Sequence, residues 1–191
     1  MKNDFFRIHA LFTRTTNQSP CLHEILATGG VYGLDKGEEK MKLIKNIDVY
    51  APEPLGKKDV LILGDKIAKI EEAGGMPEIP FLLPEDVIDG SDRILTPGFI
   101  DCHVHVLGGG GEGGFANRTP EATVEGMTRF GVTTVVGCLG TDGIGRDMCA
   151  LVAKTKGLNE QGMSAYCYTG SYQIPVRTLT DSVTKDIMMI Q

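Results

Sequence analysis

The chain has 191 residues, 41% of them hydrophobic, 6% aromatic with no tryptophan, and a formal net charge of −6. This is enough apolar material for a packed core; no run reaches the ~18 apolar residues of a membrane-spanning helix, and the N-terminus lacks the layout of a secretory signal, so a soluble cytoplasmic protein is expected. Lys and Arg are scattered without a basic patch, which excludes nucleic acid as an expected partner, and the odd set Cys21, Cys102, Cys138, Cys149 and Cys167 suggests neither a disulfide framework nor a Cys-type zinc site, but reduced, mostly buried thiols.

Residues 1–40 show no convincing period and carry no assignable function; His9 and His23 read as solvent or packing residues. Met41, followed at once by a strand pattern, is the expected physiological start. From Leu43 to Leu95 the pattern is all β. Strands are predicted at Ile44–Tyr50, Asp59–Leu63, Lys66–Ile70, Val87–Asp89 and Arg93–Leu95, with a two-residue hairpin at Gly64-Asp65. Loops are predicted over Ala51–Gly56 and Gly74–Pro84.

Beyond Pro97 strands and helices alternate. Phe99–Leu107 is predicted to be a buried strand. Thr119-Pro120-Glu121 reads as a helix start with Thr119 as cap, and Gly131–Leu139 as a strand covered on both faces. A second helix should start near Arg146 and bury Met148, Leu151, Val152, Thr155 and Leu158. A strand over Met163–Thr169 and a helix capped by Asp181 or Ser182, with Val183, Ile187 and Ile190 aligned, complete the chain. Such alternation argues for βαβ units and a parallel sheet.

In a strand, residues i and i+2 share a face, so His103 and His105 project side by side. An isolated pair of this kind is equally compatible with a hydrogen-bonded core pair and with a metal clamp. Its place at the end of an apolar strand, with a flexible glycine loop expected directly above it from Gly108 to Gly114, is where barrel enzymes put their chemistry. Gly108, Gly110 and Gly113 also satisfy Gly-x-Gly-x-x-Gly, but that spacing is nearly guaranteed in so glycine-rich a run, and no helix opens at the third glycine as a dinucleotide fingerprint requires.

Pro97-Gly98-Phe99-Ile100-Asp101-Cys102-His103-Val104-His105 resembles the first barrel strand of the amidohydrolase superfamily, metal-dependent hydrolases built on a (β/α)8 barrel. The continuation is similar to the isoaspartyl (β-aspartyl) dipeptidases: the glycine run around Glu112, then Arg118–Glu121, Gly140–Ile144 and Thr169–Pro175. The resemblance implies an α/β protein with an unassigned extension over residues 1–40. A small β-sandwich over 41–96 and the first three βα units of a TIM barrel over 97–191 follow. A complete barrel needs about 250 residues, so this one is expected to be truncated at Gln191.

By the same resemblance His103 and His105 bind zinc, in a site that in the complete enzyme holds two ions bridged by a carboxylated lysine lying beyond this chain. Lys154 and Lys156, within a helix, are no substitutes. The Glu112 carboxylate receives the free α-amino group of a β-aspartyl dipeptide; otherwise it is an exposed loop glutamate. Gly110, through its N–H, and Thr141, through its hydroxyl, match positions that hold the α-carboxylate; Thr141 alone is a turn residue beside Asp142-Gly143. Tyr172 matches a tyrosine that polarises the scissile carbonyl, and alone is a partly buried residue after a strand. Asp101 reads as a supporting group.

The implied activity is zinc-dependent hydrolysis of the β-aspartyl peptide bond of dipeptides by a metal-activated hydroxide, in a homo-oligomer when full length. The alternatives are another zinc amidohydrolase acting on a cyclic amide, as dihydroorotases and hydantoinases do, and a non-catalytic fragment. The chain by itself is expected to show no more than background peptidase activity, and a half barrel leaves a parallel sheet edge and an apolar helix face uncovered.

Overall fold

The computed structural model describes residues 10–14, 41–64 and 66–190. They fall into two compact units, one within Met1–Gly98 and one within Phe99–Gln191. His9, Cys21 and His23 lie outside the described residues.

The first unit holds β1 (Ala10–Arg14), β2 (Met41–Tyr50), β3 (Pro54–Leu63), β4 (Lys66–Glu72), β5 (Val87–Asp89) and β6 (Arg93–Pro97). The described strands join in one mixed sheet, ordered β1-β6-β2-β3-β4 with β5 also on β2. The reason lies in β2. Its length lets β3 pair antiparallel along one edge, while β5 and then β6 share the other edge in parallel. Ile44, Ile47, Val49, Val60, Ile62 and Leu95 form the core. Asp59, fully buried among them, accepts the N–H groups of Asn46 at 2.9 Å and Gly74 at 3.0 Å, which satisfies a carboxylate that burial alone would disfavour.

Two boundaries differ from the pattern. Pro54, expected in a loop, opens β3 opposite Tyr50, where a strand start tolerates its missing N–H. β1, in a stretch without a period, pairs antiparallel with β6 from Ala10↔Pro97 to Arg14↔Arg93. The predicted hairpin closes with Leu63 opposite Lys66 and Gly64 at φ 58°, though Asp65 itself lies outside the described residues.

The second unit runs β7 (Phe99–Val104), α1 (Val124–Thr128), β8 (Val132–Gly137), α2 (Met148–Glu160), β9 (Ser164–Cys167) and α3 (Val183–Met189). Its three strands are parallel, in the order β7-β8-β9. α2 begins as the sequence reads, with the Asp147 side chain accepting from the Ala150 N–H at 2.8 Å. It buries Met148, Leu151, Thr155 and Leu158 against Val135, Met163 and Ala165. Leu151 and Leu158, at 0% and 1% exposure, each stabilise the unit by about 1.5–3 kcal/mol. Among the described residues no helix is long and apolar enough to cross a membrane.

Several expectations are corrected here. β7 is not buried: it is the edge strand, paired only with β8, and Phe99 and Ile100 stand 55% and 70% exposed. β8 buries one face, through Thr133, Val135 and Gly137, while its other face is half-buried. Thr119 caps no helix, because its hydroxyl accepts the Gly109 N–H at 2.6 Å; Thr123 caps α1 instead, accepting from Gly126. α3 is capped by Ser182 as expected, but its buried residue is Asp186, and Val183 and Ile187 are exposed. The thiols are less buried than expected: Cys102 and Cys149 are exposed, Cys138 and Cys167 half-buried.

Candidate metal and substrate site

β7 delivers His103 near its end, and His105 follows just past it. Their rings meet edge to face, 5.4 Å between centroids and 82° between planes. Asp101 accepts the His103 backbone N–H at 3.1 Å, which fits the supporting part expected of it. Small residues make room for His105: a Cβ at Gly109 would approach its Cδ2 to 3.5 Å, and one at Gly140 its Nδ1 to 3.4 Å.

The sequence reading missed the third member of this cluster. Parallel pairing sets Val104 opposite Gly137, so Cys138 arrives beside His105. Its carbonyl oxygen lies 3.3 Å and its Sγ 3.5 Å from His105 Nδ1. Ligand atoms of His103, His105 and Cys138 all fall within 4.8 Å of one another. A tetrahedral zinc shared by an imidazole and a thiolate separates N from S by about 3.5 Å, so the donor set fits such an ion. Burial, and then the Asp101 charge, pushes the Cys138 thiol up. Cys138 has no close partner in sequence; the only signal available was its position just past the neighbouring strand.

The glycine run is held by backbone hydrogen bonds. It folds back as a narrow hairpin in which the Gly111 N–H donates to Asn117 O at 2.7 Å, the Thr119 N–H to Gly109 O at 3.0 Å, and Gly110 bridges Arg118. The Arg146 guanidinium donates to Gly109 O and Thr119 O, each at 3.1 Å. Arg118 stacks on Phe115 at 5.0 Å and pairs with Asp142. The Asp142 carboxyl is held below the usual range by the Gly145 N–H first; burial opposes this, and the Ile144 N–H and the charges of Arg118 and Arg146 add to it. The hairpin is thereby tied to the loop after β8.

That tie brings Glu112 to Thr141. The Thr141 hydroxyl is the main influence holding the exposed Glu112 carboxyl below the ordinary carboxylate range, followed by Glu112's own N–H; burial opposes, and the charge of His105 assists. The hydroxyl is nonetheless buried and closes no hydrogen bond of proper geometry. It is a polar group near an anion with capacity to spare.

Tyr172 stands 73% exposed in the loop after β9. Its neighbours reach the loop after β8: the Gln173 amide occupies the space a Gly143 side chain would need, and Arg177 Nη1 donates to Gly143 O at 3.3 Å. Lys154 lies in α2 and pairs with Glu121 at 2.9 Å, away from any strand end. The structure thus unites His103, His105 and Cys138, and brings Glu112 of the Gly110 hairpin to Thr141 of the loop after β8.

No protein-family profile matches the chain. Among solved structures it is similar to the β-aspartyl dipeptidase of Fervidobacterium islandicum AW-1 in complex with β-Asp-Leu dipeptide, at 46% identity and a TM-score of 0.71, over 81% of this chain and 39% of that one. A second structure of that dipeptidase gives 47%, 0.71, 80% and 41%. Among curated proteins, the dihydroorotase of Staphylococcus aureus strain Mu50 is 38% identical over 95 residues, 50% of this chain and 20% of its own. The imidazolonepropionase of Acidiphilium cryptum is 39% identical over 64 residues, 33% and 16%. The chain therefore spans about two fifths of the solved dipeptidases and a fifth or less of these curated enzymes. These relatives are hydrolases of the amidohydrolase superfamily, as the motifs implied.

Proposed function

We propose that this chain, a homologue of amidohydrolase hydrolases, supplies the substrate-head pocket and part of the metal site of a zinc-dependent β-aspartyl dipeptidase, built on the opening βα units of a TIM barrel. The observation that carries this reading is the nearness of the Thr141 hydroxyl to the Glu112 carboxylate, where the Arg118–Asp142 ion pair ties the hairpin to the loop after β8. An α-amino group and an α-carboxylate leave the same carbon, so their acceptor and donor must stand side by side. An anionic Glu112 suits the ammonium, and the unpartnered Thr141 hydroxyl suits the carboxylate, with the Gly110 N–H as a second donor.

His103 and His105 would hold the ion, with Cys138 within reach. When bound, zinc supplies a water acidified toward neutral pH and polarises a carbonyl. The chain's own groups do the rest: Glu112 and Thr141 orient the aspartyl head, Asp101 fixes the chain at His103, and the Tyr172 hydroxyl donates toward charge growing on the scissile carbonyl oxygen.

A cyclic-amide substrate is the second reading, favoured by the identity to dihydroorotase. Such a ring offers Glu112 no free α-amine. Hydrolysis of β-Asp-Leu and of dihydroorotate by the zinc-loaded native protein separates the two. Turnover of the dipeptide supports the first reading, and turnover of the ring alone ends it. The 191-residue chain alone should show only background hydrolysis; robust turnover abolished by His103→Ala would mean that it carries a whole site.

A further inference from the structure

We infer that Asp186 is a positioning residue for the loop that presents Tyr172, an inference that rests on the part proposed for Tyr172 above. Asp186 is the residue α3 buries, at 1% exposure, while Ile187, Met188 and Met189 of the same helix stand 66%, 71% and 78% exposed. A helix that hides a carboxylate and leaves its apolar side chains in water does so only where that carboxylate is fully hydrogen-bonded.

Asp186 is so bonded, and its donors are the two ends of one loop. The Thr169 hydroxyl, where the chain leaves β9, donates to Oδ2. Where the chain returns, the Leu179 N–H donates to the same oxygen at 2.9 Å, and the Thr180 N–H and hydroxyl donate to Oδ1 at 2.9 and 2.5 Å. Burial pushes the carboxyl up, but the hydroxyls of Thr169 and Thr180 and the two N–H groups outweigh it and hold the group at about 2. The anion is therefore the working form at any ordinary pH.

Within this clamp the loop is closed once more. The Ser171 N–H donates to Arg177 O at 3.0 Å, and the Arg177 N–H donates to Ser171 Oγ at 2.8 Å. At the tip Tyr172, Ile174 and Val176 are 73%, 92% and 52% exposed, and Gln173 packs its amide against Gly143, so the Tyr172 ring has no packing of its own to hold it. The stem decides where the tip stands, and Asp186 is the group on which both stem strands converge.

The chain contains no tryptophan, so Tyr172→Trp introduces a single indole at the tip. In the 191-residue chain, adding Asp186→Asn should lower its steady-state anisotropy and speed tryptic cleavage after Arg177 several-fold, with circular dichroism reporting that α2 and the sheet persist. Thr180→Val, which removes one hydroxyl donor, should do the same to a lesser degree and guards against an Asp186 variant that fails to fold. Unchanged anisotropy and cleavage in both variants overturns the inference. In dipeptidase-active protein, Asp186→Asn should lower kcat on the order of 10- to 100-fold at unchanged KM, with no further loss in a Tyr172→Phe background. Additive losses would show that Asp186 acts by another route and overturn the inference. A Tyr172→Phe enzyme of normal kcat would instead sink the part proposed for Tyr172, leaving the anisotropy and cleavage to decide whether Asp186 sets the loop.

Discussion

A Cβ on Gly108 would sit 2.2 Å from the carbonyl oxygen of Thr119, and Gly108 holds φ +86°. The first turn past the histidines is thus pressed against the returning arm of the hairpin, in a conformation that L side chains avoid. Gly108→Ala should destabilise the chain by about 2–4 kcal/mol, since backbone rather than a movable side chain stands in the way. Gly157, inside α2 with nothing within 4 Å of an added Cβ, is the control. There alanine should stabilise by about 0.5–1 kcal/mol. Urea titrations of both variants check the opposite signs.

Zinc binding should depend on the cluster at the end of β7. Equilibrium dialysis of the 191-residue chain should show His105→Ala weakening zinc by more than the roughly 100-fold that follows loss of a group merely supporting a ligand. Cys138→Ser should weaken it less, and Cys149→Ser, on an exposed position of α2, not at all.

Glu112→Gln should raise KM for β-Asp-Leu roughly 10- to 100-fold, the worth of a hydrogen bond to a charged group, with little change in kcat. Because the Thr141 hydroxyl leads in holding the Glu112 carboxyl low, affinity should be full across neutral pH and fall only as acid titrates that depressed group. Thr141→Val should move this acid limb upward. An unmoved limb in steady-state kinetics would separate the two residues.

Asp186 titrates at about 2 in the folded chain against an ordinary 3.8. A lowered folded value contributes stability that is present above 3.8 and lost as pH falls through about 2. The Tm deficit of Asp186→Asn should therefore be largest at neutral pH and shrink toward pH 2, as scanning calorimetry across that range would record.

Cys138 should resist alkylation. Burial, with the Asp101 charge behind it, pushes its thiol up, whereas Cys102 on the edge strand is exposed. Iodoacetamide at neutral pH, followed by peptide mapping, should label Cys102 well before Cys138.

What the sequence determined by itself was whatever depends on neighbours within a few residues. The two-residue period of a strand sets His103 beside His105; helix starts are legible near Arg146 and at Asp181 or Ser182; and the alternation of strand and helix lays out the parallel sheet. Tertiary structure decided the rest, because it depends on which distant groups compete for the same atom. Thr119 could cap a helix or accept from Gly109, and the hairpin took it, moving the start of α1 to Thr123. Helical period marks a stripe through Val183, Ile187 and Ile190 but cannot say whether that stripe or Asp186 turns inward; the four donors at the loop ends settled it. Cys138 joined His105 only through the register of β7 on β8, a pairing between segments that no local pattern encodes.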